Sequence, residues 1–144
     1  MERASFYEEE YVNQDFPAEG LPYGAYEACR FEGCDFTKVD LSRSIFIDCQ
    51  WVDCNLSGVQ LTETGLRGVL FKGCKLLGVH FETTHPLLLE LSFHSCQLDL
   101  SSFFGMKLPD TEWINCRLRE VDFTEAQLEE SRFSGSNLTG ALFE

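Results

Sequence analysis

A chain of 144 residues, 44% of them hydrophobic and with a net charge of −13, is long enough to build one domain around its own core. The apolar share excludes a disordered acidic tail, and the acidity excludes direct nucleic-acid binding, which needs basic patches. What the charge permits is an acidic surface that meets a basic partner.

The chain opens with MERASFYEEE, which has no apolar core of signal-peptide length. Residues 1–23 are expected to form an irregular cap or degenerate repeats. Phe6, Tyr11, Phe16 and Leu21 recur every five positions, but Pro17, Pro22 and a glutamate run interrupt them. From residue 24 the spacing is regular. Large apolar residues occupy Tyr26, Phe31, Phe36, Leu41 and every fifth position to Phe81. The phase then slips by two, which places a bulge at Thr84 and His85. It resumes at Leu88 and holds to Phe143. The longest apolar stretch, PLLLELSF at 86–93, is broken by Glu90 and is too short for a membrane span.

A period of five is neither helical nor simple strand alternation. The position two before each centre is usually small or branched, and all seven cysteines (Cys29, Cys34, Cys49, Cys54, Cys74, Cys96 and Cys116) occupy it. Two inward positions around one outward residue form a short piece of strand. A turn must cut it off every five residues. Eight of the eleven glycines, Gly68 and Gly73 among them, sit two after a centre, where a corner needs a permissive residue. The cysteines are then small core fillers, reduced as in the cytoplasm, rather than metal ligands.

Strings such as CDFTK, CNLSG, VDFTE and SNLTG resemble the pentapeptide repeat, written A(D/N)LXX, over residues 24–144. The resemblance implies an all-β fold, a right-handed quadrilateral parallel β-helix with four pentapeptides per coil. Taking every fourth centre tests that count. One column reads Phe31, Trp51, Phe71, Phe93, Trp113, Phe133, all aromatic. The next is Phe36 followed by five leucines, and the third runs Leu41, Leu61, Phe81, Phe103, Phe123, Phe143. The fourth is Tyr26, Phe46, Leu66, Leu88, Leu108, Leu128. Like stacks on like at twenty, or twenty-two across the slip. About seven coils at ~4.8 Å each predict a rod roughly 33 Å long.

Nothing in the chain suggests catalysis. His80 and His94 fall at outward positions and His85 in the bulge, and no nucleophile–base order, phosphate loop or HExxH string is present. The expectation is a non-enzyme without cofactor or metal. Asn55-Leu56-Ser57 and Asn137-Leu138-Thr139 match a glycosylation pattern, but the repeat itself generates that string.

Charge is distributed unevenly over the four walls. The Tyr26 wall carries Glu27, Asp48, Glu90, Asp110, Glu129 and Glu130 against Arg67 and Lys107. The adjoining Leu41 wall carries Asp40, Glu63, Glu82, Asp122, Glu125 and Glu144 against Arg43. Together they are net −9, whereas the Phe31 and Phe36 walls are net +1. The acidic pair serves either solubility or a basic partner, with Glu27, Asp48, Glu63, Glu82, Glu90, Asp110, Asp122, Glu125, Glu129 and Glu130 as candidate contacts. A duplex of ~33 Å carries about 20 phosphate charges, at one per ~1.7 Å, the same order as this rod. The chain resembles the gyrase-protecting pentapeptide proteins, which imitate DNA and confer quinolone resistance. That resemblance implies a type II topoisomerase as partner, with no nucleic acid and no membrane. The alternative is a scaffold with no topoisomerase role. The sequence stops at ALFE inside a repeat, so the expectation is either a chain that continues beyond it or an end coil that pairs, as a homodimer or end to end.

Overall fold

A segment that turns every five residues is too short for a helix or a hairpin. Its backbone groups must therefore find partners in the coils above and below. The computed structural model describes residues 3–144, and in it they do. The chain winds as an all-parallel β-solenoid with four walls per turn. Two walls contain strands. On the Tyr26 wall, β1 (Ala4–Tyr7), β3 (Gly24–Glu27), β5 (Ile45–Ile47) and β7 (Gly65–Arg67) form one sheet. On the Phe31 wall, β2 (Glu10–Val12), β4 (Arg30–Glu32), β6 (Gln50–Val52), β8 (Val69–Lys72), β9 (Leu91–His94) and β10 (Glu112–Ile114) form the other. The Phe36 and Leu41 walls are held by single bridges such as Asp35↔Asn55 and Asp40↔Gln60. Register is twenty throughout the early coils (Phe31↔Trp51) and twenty-two across the insertion (Phe71↔Phe93).

The six strands of the Phe31 wall gain a seventh level only through the bridge Glu112↔Arg132. The stack therefore amounts to about six turns rather than the expected seven. The first coil joins the ladders early, since Ala4 pairs with Gly24 and Tyr11 with Phe31. Its third wall then departs from strand geometry as a short helix, α1 (Phe16–Glu19), started by Pro17. Phe16 still points inward and stacks on Phe36 at 4.5 Å.

The corners explain the motif. After Phe36 the chain turns over Thr37 and Lys38, and Val39 N–H donates to the Phe36 carbonyl at 2.9 Å. Lys38 has φ +58, as the third residue of a type II turn requires. The Asp or Asn before the centre braces the turn. Asp35 accepts the Thr37 N–H at 2.8 Å, Asn55 that of Ser57 at 3.0 Å and Asp122 that of Thr124 at 2.9 Å. At Gly68 two demands coincide. Its φ is +69, and a Cβ there would lie 2.6 Å from the Asp48 carboxylate of the coil below.

Inside, side chains twenty apart lie face to face. Ring centroids separate by 4.8 Å for Tyr11–Phe31, 4.9 Å for Phe31–Trp51, 5.2 Å for Trp51–Phe71 and 4.9 Å for Phe93–Trp113. Burying each centre stabilises the coil by about 1.5–3 kcal/mol. The seven cysteines are free and buried. They are more than fillers: each of the seven thiols donates to the carbonyl of a centre in the preceding coil, Cys74 to Trp51 at 3.2 Å and Cys96 to Phe71 at 3.2 Å, for example. Thr64, Ser101 and Ser131 do the same from equivalent positions. Small size and one donor are what this position selects.

The bulge lies elsewhere than expected. Thr84 is buried and His85 stays in register, bridged to Gly65. The two extra residues are accommodated in the turn that follows, where Leu89 N–H bonds back to the Pro86 carbonyl at 3.3 Å. Leu88, expected as an inward centre, is 68% exposed, and Leu89 packs against the core in its place. The cause is local. Pro86 cannot continue the ladder as a donor, and Leu88, at φ +56, takes the corner conformation, so the inward role passes to the next residue.

Candidate protein-binding surface

With the interior filled by aromatic and aliphatic columns, chemistry is left to the outward positions. The ten candidate carboxylates fall on the two adjoining walls. Glu27, Asp48, Glu63, Glu90, Asp110, Glu125, Glu129 and Glu130 are exposed, and Glu82 and Asp122 are half-buried. Asp122 is partly committed to its own turn. Its bonds from the Thr124 hydroxyl and N–H hold the carboxyl below the usual range, as Thr37 does for Asp35 on the opposite side. Asp48 and Glu90 flank Gly68 and share a groove of about 510 Å³ with Arg67 and the bulge residues Leu88 and Leu89.

The two sides differ in how their acids are neutralised. On the mixed side Arg117 Nε meets Asp99 at 2.6 Å, and Glu112 is held by His94 at 3.0 Å and by Arg132. Arg30 is paired with Glu32. On the acidic side the only pairs among the described residues involve histidine: His80 with Glu82 at 2.9 Å and His85 with Glu63 at 4.0 Å. Arg43, Arg67 and Lys107 stand on these walls without an ion pair among the described residues. This difference was not visible in net charge alone, because pairing depends on which outward residues the coil register sets above one another.

No three His, Cys, Asp or Glu side chains come together as a metal-binding group among the described residues. Burial pushes the Cys49 thiol up to about 12. No helix among the described residues is long and apolar enough to cross a membrane.

A model described as the pentapeptide repeat region matches residues 26–86, and one of eight pentapeptide repeat copies matches residues 101–140. The chain is 37% identical over 117 residues to the pentapeptide repeat protein MfpA of Mycobacterium tuberculosis, covering 78% of this chain and 55% of that protein. It is 30% identical over 119 residues to the quinolone resistance pentapeptide repeat protein QnrB96 of Scandinavium goeteborgense, covering 82% of this chain and 52% of that one. The chain thus spans about half the length of these curated relatives. A trypsin-treated variant of QnrB1, a plasmid-mediated fluoroquinolone resistance protein, superposes with a TM-score of 0.59. That match, at 20% identity over 96% of this chain and 66% of that one, is a likeness of fold.

Proposed function

Because the chain belongs to the pentapeptide repeat family, we propose that it is a non-enzymatic protein of the cytoplasm whose two acidic walls bind a basic protein surface in place of DNA. The partner inferred is a type II topoisomerase such as gyrase. One observation carries the reading. Among the described residues the carboxylates of the Tyr26 and Leu41 walls have no Lys or Arg ion-pair partner, whereas Arg side chains on the opposite walls pair with Glu32, Asp99 and Glu112. Unpaired carboxylates keep their field for an incoming partner, and such a field raises the association rate and selects against acidic surfaces. The quinolone resistance for which the relative QnrB96 is named points the same way.

The test is gyrase supercoiling with and without ciprofloxacin, at micromolar protein. The reading expects a change in supercoiling or in drug sensitivity, and Glu129→Lys with Glu130→Lys should weaken it. No effect on either activity rules the topoisomerase out. A host pull-down that returned a different partner, retained at high salt, would replace this reading with a scaffolding role.

A further inference from the structure

Where the two acidic walls meet, the charge reverses. Arg3, Arg43, Arg67 and His85 line one cavity of about 340 Å³, together with Tyr23 and a single acid, Glu63. The parts are held in place. Arg3 donates to the Tyr23 hydroxyl at 3.3 Å and to the Arg43 carbonyl at 3.4 Å, and its guanidinium lies 5.5 Å from the centre of the Tyr23 ring. The N–H of Leu87 donates to His85 Nδ1 at 3.1 Å, so the neutral imidazole carries its proton on Nε2 and offers it as a donor. Gly65 adds no side chain to this lining.

Glu63 does not neutralise the group. It approaches only His85, at 4.0 Å, and forms no ion pair with an arginine. Arg67 Nε is buried and has no hydrogen-bond partner. Among the described residues lining the cavity, three guanidiniums against one carboxylate leave two positive charges, in a chain of net charge −13; Arg67 also borders the groove of Asp48 and Glu90. Positive groups lining one cavity, with the buried Arg67 Nε unsatisfied, favour an anion that joins them. Guanidinium forks match tetrahedral and planar oxyanions alike. A dianion balances this charge where a single carboxylate would not.

We propose that this corner cavity binds a phosphate group, held by Arg3, Arg43 and Arg67 with His85 Nε2 as a further donor. The cavity lies at the corner of the two walls in the partner reading and shares Glu63 with them, but its test reads phosphate binding alone and stands or falls independently of the topoisomerase assay. The phosphate is either the free ion or a phosphorylated side chain, and two probes separate these sources.

The experiment follows the Arg67 Nε–H and His85 ring signals by NMR in the full chain. Inorganic phosphate, and separately phosphoserine, replaces chloride at constant ionic strength and pH. The expected result is a saturable shift at both residues. Arg43→Gln should weaken it about tenfold, as loss of one charge-assisted contact implies. Arg67→Lys, which keeps the charge and removes the buried Nε donor, should also weaken it, and Arg117→Gln on the far side should leave it unchanged. Tighter binding of phosphoserine assigns a phosphorylated partner; equal or weaker binding assigns the free ion. A shift that fails to saturate, that chloride reproduces, or that survives Arg43→Gln and Arg67→Lys in folded protein overturns the proposal.

Discussion

On the Phe31 and Phe36 walls Arg132 lies one coil beyond Glu112, and the bridge between their backbones sets the side chains side by side. On the Tyr26 wall the same step of twenty brings Glu130 to the level after Asp110, whose N–H bonds to the Glu129 carbonyl at 2.9 Å. One geometry therefore builds a ladder of opposite charges on one side and of like charges on the other. The fold imposes the stacking, and the outward residues decide what is stacked. Like charges at the surface repel only weakly through water. A coil can therefore carry such a column at small cost, provided its interior is well packed.

The largest effect should come from what the two sides share. Trp113 stacks on Phe93 at 4.9 Å and on Phe133 at 5.6 Å. Trp113→Ala is expected to cost about 3–5 kcal/mol in urea unfolding. A loss below about 1 kcal/mol would mean that the aromatic column does not carry the stability of either side.

Neither side should present a reactive thiol. With Cys49 raised to about 12 by burial and all seven sulfurs buried, a disulfide reagent at pH 8 should label none in the native chain and all seven after unfolding. Rapid native labelling would show that a wall opens.

The sharpest comparison of the two sides uses one substitution on each. Glu112→Gln removes the partner of His94 and Arg132 and should cost about 0.5–1 kcal/mol, while Glu129→Gln, which breaks no ion pair, should be neutral or slightly stabilising at low salt. Equal effects in thermal unfolding would erase the difference between the sides.

The smallest effect should be common to both. Asp35 and Asp122 are held below the usual carboxylate range by Thr37 and Thr124. Their folded values are depressed, so their stabilisation is complete above the unfolded value near ~3.9 and is lost as pH falls through the folded value. Thr37→Val and Thr124→Val should each shrink that loss in an acid titration of stability; an unchanged titration would show that these hydroxyls do not hold the carboxyls low.

Much of the fold was legible because the motif repeats. Trp51 and Trp113, sixty-two residues apart, could be assigned to one wall by counting, and both lie in the same stacked column. The cysteines could be placed inside for the same reason. Counting failed where the repeat is interrupted. A slip of two residues can be absorbed at several points of a coil, and nothing in its length says that His85 stays in register while Leu88 turns outward. The candidate surface was legible as a sum of charges per wall, but not as paired and unpaired carboxylates.

The sequence alone determined the five-residue period, the inward columns and which wall each charged residue belongs to, because side-chain direction follows from position in the repeat. Only the tertiary structure decided which thiols donate to which carbonyls, which acids find a base, and that Arg3, Arg43, Arg67 and His85 share one cavity. Those are contacts between coils at a shared corner, set by side-chain reach and by where the insertion is absorbed, and neither quantity is written in the spacing of residues along the chain.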